Sequence, residues 1–276
     1  MTCRILLCTD GSTFSKAASA VAIQIAEAHE ESVLVALHVV NVVGPTGNLL
    51  KDIPGRLGFE PAVVSPAVES AHTRKGEDVL AEVARDAELA GVLAQTIIDQ
   101  GAVRERIAHH ARHADLVIMG MRGLTEDSHP GQGGGHRNQA SDDLWVPVLF
   151  VSRGHDKISG IALGYDGSDG AAQAIKAAEI IAEPTKVPVH AIYVSSDGTG
   201  GEVLDECEHI YPDLHINRLV VRSDEPHTAL AEAAVAQGAN VLALGFRGRS
   251  KVKDFLFGTA AHYIIANTNL MVLVAH

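Results

Sequence analysis

The sequence predicts an α/β protein of two tandem doubly wound halves, each a five-stranded parallel sheet flanked by helices. Three observations carry that prediction. An apolar run ending in Asp-Gly-Ser occurs twice, as Arg4-Ile5-Leu6-Leu7-Cys8-Thr9-Asp10-Gly11-Ser12 and as Gly160-Ile161-Ala162-Leu163-Gly164-Tyr165-Asp166-Gly167-Ser168. Each copy is followed by the same order of helical and extended patterns. The extended runs are near-continuously apolar, which marks parallel strands buried on both faces.

The elements follow in order. After each Asp-Gly-Ser comes an alanine-rich stretch with apolar residues at i, i+3, i+4 spacing, residues 16–30 and 171–182, and the serine is placed to cap the helix. A second strand returns at 32–40 and 187–195. The first half then spends 42–66 on a Gly/Pro-rich loop and 67–91 on an amphipathic helix, which the second half compresses into 195–213; such length differences belong on the surface. Both halves recover with a strand (92–98; 216–221), a helix (102–113; 227–237) and an apolar strand ending in glycine, Gly120 or Gly245. Each closes on a last apolar strand, 146–151 and 270–274. The polar segment Ser152 to Lys157 divides the chain into expected domains of 1–152 and 157–276.

Bulk properties exclude several functions. With 276 residues, 46% hydrophobic and 20% charged, there is material for two ordinary cores. A net charge of −12 argues against nucleic acid, whose phosphate backbone needs a basic face. The N-terminal apolar run is too short for a signal peptide, and no later run nears the ~18 apolar residues of a membrane span, so a cytoplasmic location is expected. Cys3, Cys8 and Cys207 form no C-x-x-C pattern, and Cys3 and Cys8 fall on opposite faces of one strand, as idle thiols would. His109, His110 and His113 could pair on a helix face toward zinc, but no carboxylate or cysteine nearby completes a site, and histidines also complement a helix C-terminus. Trp145 is assigned to packing.

The chemistry concentrates after the strand that ends at Gly245. Gly245-Phe246-Arg247-Gly248-Arg249-Ser250-Lys251 joins glycine freedom to basic charge, and Gly258-Thr259-Ala260 opens the next helical stretch, whose N–H groups and dipole favour phosphate. Arginine grips two phosphate oxygens at once. In an open parallel sheet ligands sit beyond the carboxyl ends of the strands, where Asp166 also stands, an acceptor suited to a ribose hydroxyl, an exocyclic amine or magnesium. The motif is neither a P-loop nor a dinucleotide fingerprint. Asp10 and Asp166 lack the further acidic or lysine partners that strand-end carboxylate catalysis requires. Ser12 and Ser168 lack a nucleophile elbow.

The spacing Gly245-x2-Gly248-x9-Gly258-Thr259 after an apolar strand, with Asp-Gly-Ser after strand one, resembles the universal stress protein family in a tandem two-domain, Rossmann-like form, over nearly the whole chain. The resemblance implies ATP binding with magnesium carried by the nucleotide, and slow or absent hydrolysis. It places base and ribose contacts on Asp166 and Val194, and phosphate contacts on Gly245, Arg247, Gly248, Gly258, Thr259 and Ala260, with Arg249 adding charge. It also implies that the closing strands pair across a two-fold axis as an internal pseudo-dimer, leaving further homodimerisation and an unknown protein partner to be expected. The first half departs from the pattern. Gly120, Arg122 and Gly123 are intact and Gly133 and Gly134 stand at about the right distance, but no Ser/Thr follows, and Glu126 and Asp127 replace basic residues. A weaker site on those residues with Asp10 and Val39 is the expectation; the alternative is a scaffold, or a different small ligand in the first half.

Overall fold

A computed structural model of the chain describes residues 2–41, 66–122, 145–210, 214–245 and 268–275. The first half contributes β1 (Cys3–Cys8), α1 (Thr13–Ala28), β2 (Ser32–Val40), α2 (Pro66–Leu89), β3 (Ala94–Gln100), α3 (Val103–Ala111), β4 (Leu116–Gly120) and β5 (Val148–Val151). The second contributes β6 (Ile161–Gly164), α4 (Asp169–Thr185), β7 (Val189–Ser195), α5 (Gly201–Ile210), β8 (Ile216–Arg222), α6 (Pro226–Ala236), β9 (Val241–Gly245) and β10 (Met271–Ala275). The expected order is recovered. Boundaries move by a few residues: α1 and α4 start as soon as Ser12 and Ser168 cap them, each hydroxyl accepting the N–H three residues on, from Ser15 at 3.1 Å and Ala171 at 3.2 Å.

The ten strands of the described residues form one sheet in the order β3-β2-β1-β4-β5-β10-β9-β6-β7-β8. Within each half the pairs are parallel. The halves meet where β5 and β10 run antiparallel, Val148, Leu149 and Phe150 opposite Val274, Leu273 and Val272. The closing strands therefore pair within the chain, and the strand carboxyl ends of one half point opposite to those of the other.

Alternation along the strands splits the core into two layers. Ile5, Leu7 and Leu163 pack with α1, α2, α4 and α5 on one face; Leu6, Val117 and Val272 pack with α3 and α6 on the other. Each layer contains residues of both halves. Cys3 and Cys8 face opposite layers as expected, and burial pushes the Cys8 thiol up to about 12, so it is inert at neutral pH.

The linker is pinned. Ser152 and His155 both donate to the Asn269 carbonyl, at 2.6 and 2.8 Å, and Asn240 donates to the Lys157 carbonyl while accepting from the Ser159 N–H. Across the axis the Gln24 amide both donates to and accepts from the backbone of Ile158, and His29 donates to the Ile180 carbonyl.

Candidate nucleotide crevices at the strand ends

Register places the expected contacts side by side. Gly164 pairs with Ile192 and Leu163 with Ala243, so Val194 and Asp166 stand level with each other and one residue beyond Gly245. Three neighbouring strand ends thus present Val194, Asp166 and Gly245 along a line spanning about 10 Å. In the first half Cys8 pairs with Leu37 and Met119, which puts Val39, Asp10 and Gly120 on the same line. Arg122 follows, exposed, its guanidinium 6.0 Å from the centre of the Phe14 ring. Arg247, Gly248, Arg249, Gly258, Thr259 and Ala260 lie outside the described residues, as do Gly123, Gly133 and Gly134.

Asp-Gly-Ser has the same local job in both copies. Asp10 and Asp166 each accept the N–H of the serine two residues on, at 2.9 and 3.0 Å. Gly11 and Gly167 take φ of +79° and +72°, the left-handed region that glycine enters without a Cβ penalty. One carboxylate oxygen is therefore committed to the turn, which fixes where the other is held.

Gly120 and Gly245 are glycine for a reason the sequence did not show. A Cβ at Gly245 would lie 2.2 Å from the carbonyl carbon of Gly170 in the first turn of α4; one at Gly120 would lie 2.8 Å from that of Phe14. The expectation that Gly245 is bare so that an anion can approach is thus joined by a second role: its missing side chain lets the amino end of α4 press against the end of β9. That brings a helix N-terminus, with its partial positive charge, to the strand-end line.

The two crevices differ beside this shared frame. On β2, His38 is buried and its Nδ1–H donates to the Thr9 carbonyl at 2.9 Å, which leaves Nε2 as the acceptor nitrogen; burial lowers its pKa and keeps the ring neutral. Gly76 of α2 lies directly against that ring. The equivalent pair in the second half is Tyr193 and Gly200, one residue before α5 begins. The turns of α2 from Pro66 to Lys75 therefore have no helical counterpart; there the second half has a tight turn, with Ser195 donating to the Thr199 carbonyl and Asp197 accepting from Thr199. A groove of about 280 Å³ between α1 and α2 reaches Thr9 and Gly11, which flank Asp10, and Lys16 pairs with Glu82 at its rim.

The histidine cluster makes one tie to a carboxylate: Asp99 on β3 is 2.8 Å from His110 Nε2, and that hydrogen bond holds its carboxyl below the usual range. The pair is an ordinary helix-to-strand tether, and among the described residues no three His, Cys, Asp or Glu side chains converge as a metal set. One expectation needs correction: Trp145, assigned to packing, is 91% exposed.

The model of the universal stress protein family matches residues 1–151 and 202–276. The chain belongs to this family. The unmatched stretch, 152–201, contains the second Asp-Gly-Ser, whose equivalence to the first rests on the sheet register and the shared turn. Universal stress protein Slr1230 from Synechocystis sp. is 22% identical over 291 residues, covering 98% of either chain. A universal stress protein structure from Archaeoglobus fulgidus is similar over 99% of this chain and 97% of its own, at 22% identity and a TM-score of 0.74. A putative universal stress protein from Pseudomonas aeruginosa matches over 99% and 92%, at 15% identity and 0.62. These likenesses agree with the fold seen here, two tandem Rossmann-like units. No helix among the described residues is long and apolar enough to cross a membrane.

Proposed function

We propose that this universal stress protein is an ATP-binding module of stress response or signalling in the cytoplasm, holding one nucleotide mainly in the unit 157–276. The observation that carries the reading is the alignment of Val194, Asp166 and Gly245 on three adjacent strand ends, with the amino end of α4 against Gly245 and the Gly-x2-Gly-x9-Gly-Thr run leaving from that same glycine. Base and ribose fit the side of Val194 and Asp166; the phosphates fit the helix end and the basic run from Arg247 to Lys251. Magnesium arrives on the phosphates and needs no protein ligand set. In this reading the output is a bound conformation read by a protein partner, with hydrolysis slow at most.

The first half, 1–152, keeps the frame of Asp10, Val39 and Gly120 but has acidic residues where the second has basic ones. The groove beside Asp10 and the overhang of α2 favour a second reading for this half alone, a different small ligand or a purely structural role. Calorimetric titration of the full chain with Mg-ATP tests the assignment. We expect one nucleotide per chain, a loss of affinity of tenfold or more in Asp166→Ala, and little change in Asp10→Ala. Equal losses in both variants would overturn the asymmetry. Absence of any binding would make the protein a scaffold.

A further inference from the structure

Among the described residues, β3 and β8 are the two edges of the sheet. An edge strand offers unpaired backbone groups to any strand that fits, and proteins ordinarily guard such edges with basic side chains or proline. β8 is guarded. Arg218 and Arg222 lie on it, the first paired with Asp205 and the second donating to the Ser196 carbonyl. β3, Ala94-Gln95-Thr96-Ile97-Ile98-Asp99-Gln100, has no lysine, arginine or proline. Its one charge, Asp99, is committed to His110 and to the N–H of Gln100.

Register fixes which backbone groups β3 offers. The Gly101 N–H donates to the Val40 carbonyl, and Val40 lies opposite Gln100. Successive residues of a strand turn their N–H and C=O to alternate sides. Gln95, Ile97 and Asp99 therefore bond toward β2, and Thr96 and Ile98 turn theirs away from the sheet. The Gln100 N–H also points outward, but Asp99 accepts it at 2.8 Å and ends the ladder there.

This edge is complementary to itself when reversed. With Ile97 opposite Ile97 of a second copy, Thr96 faces Ile98 of that copy, and the two exchange both backbone hydrogen bonds. Exposed Gln95, whose amide donates, then faces Asp99 of the second copy, whose carboxylate accepts. No like charges meet.

The flanks agree. Of the five large apolar side chains exposed among the described residues, Leu89 and Leu93 stand just before β3 and Val103 just after it, at 82%, 84% and 41% exposure. Val92 and Ala94 pack in the layer of α1 and α2, so Leu93 between them turns to the opposite face, the face of α3, which Val103 opens. Antiparallel pairing brings the start of one β3 to the end of the other. Leu93 then lies toward Gly101 and Val103 of the second copy, and Gly101 has no side chain in the way.

We propose that β3 is a docking edge for a second copy of this chain, the two strands pairing antiparallel about a two-fold axis at Ile97. One strand pair with apolar flanks is small beside standard interfaces of ~1,200–2,000 Å², so the dimer is reversible and concentration-dependent. Sedimentation equilibrium of the full chain should give a mass that rises with concentration from 29.1 kDa toward twice that value. Thr96→Pro removes an outward N–H at a site where an edge strand tolerates proline. Leu93→Glu puts a charge on the apolar flank from an exposed position. Each should weaken association tenfold or more, whereas Val235→Glu, exposed on α6, should leave it unchanged. Oxidised Ile97→Cys should link two chains, since facing residues at the axis have Cβ atoms ~4.5–5.5 Å apart. Gln95→Cys should give no link beyond that of the wild type, because its two copies stand ~14 Å apart along the ladder. If Thr96→Pro melts below the wild type, Leu93→Glu and the cysteine pair decide. A monomer at every concentration overturns the proposal and leaves the edge to a strand from another protein. A dimer that Leu93→Glu leaves intact, or one linked through Gln95→Cys and not through Ile97→Cys, also overturns it.

Discussion

His190 on β7 lies in the layer beneath α6, 8% exposed, and its Nε2 has no hydrogen-bond partner. A buried nitrogen without a partner carries its desolvation cost uncompensated. Burial alone lowers its pKa, and burial dominates at His38 too. In the unfolded chain both rings take a proton near pH 6.5, whereas the folded protein resists until a lower pH. The stability these neutral rings allow is complete above about pH 6.5 and is lost as the pH falls from there toward the lowered folded values. Urea midpoints should therefore drop between pH 7.5 and pH 5.5. His190→Leu, similar in bulk and without the orphaned nitrogen, should be at least as stable at pH 7.5 and lose less on acidification. A variant that loses as much as wild type would show that His190 does not contribute.

The contact of α4 with β9 shows what one missing side chain does for an element. Gly245→Ala would drive a methyl group into the backbone of Gly170, and backbone yields less readily than a side chain. Gly120→Ala meets Phe14 at a longer distance and has more room to adjust. Overpacking of this kind costs on the order of 1–3 kcal/mol, and the Gly245 variant should fall at or above the top of that range. Chemical denaturation would rank the two, and a less damaging Gly245→Ala would refute the close approach as the cause. Strands and helices were readable because apolar runs, i, i+3, i+4 spacing and capping serines are local properties. The role of Gly245 was not, since Gly170 is 75 positions away in the chain. Nor was Asp99 beside His110, a pairing set by how α3 folds back on β3. Trp145 was misassigned to the interior because composition says nothing of where a residue before an edge-joining strand emerges. Val194, Asp166 and Gly245 were legible as candidates from the motif, and only the register shows that they share a line.

At the scale of the whole molecule, the closing strands join the two halves into one continuous sheet. Leu149 and Leu273 face each other at the centre of the antiparallel ladder, both fully buried, and each core layer draws residues from both halves. A gap there would expose two apolar edge strands, which seek partners. Gln24, His29 and the pinned linker add polar ties around the same axis. Thermal unfolding should be a single transition with matching calorimetric and van't Hoff enthalpies, although two-domain chains of this length often unfold in steps. Leu273→Asp would bury a carboxylate between apolar strands and should cost several kcal/mol, concentrated at the seam. The prediction is that this variant separates the transition into two and, at low concentration, exposes β5 to self-association visible by light scattering. Two transitions already present in the wild type would mean that the shared layers do not couple the halves.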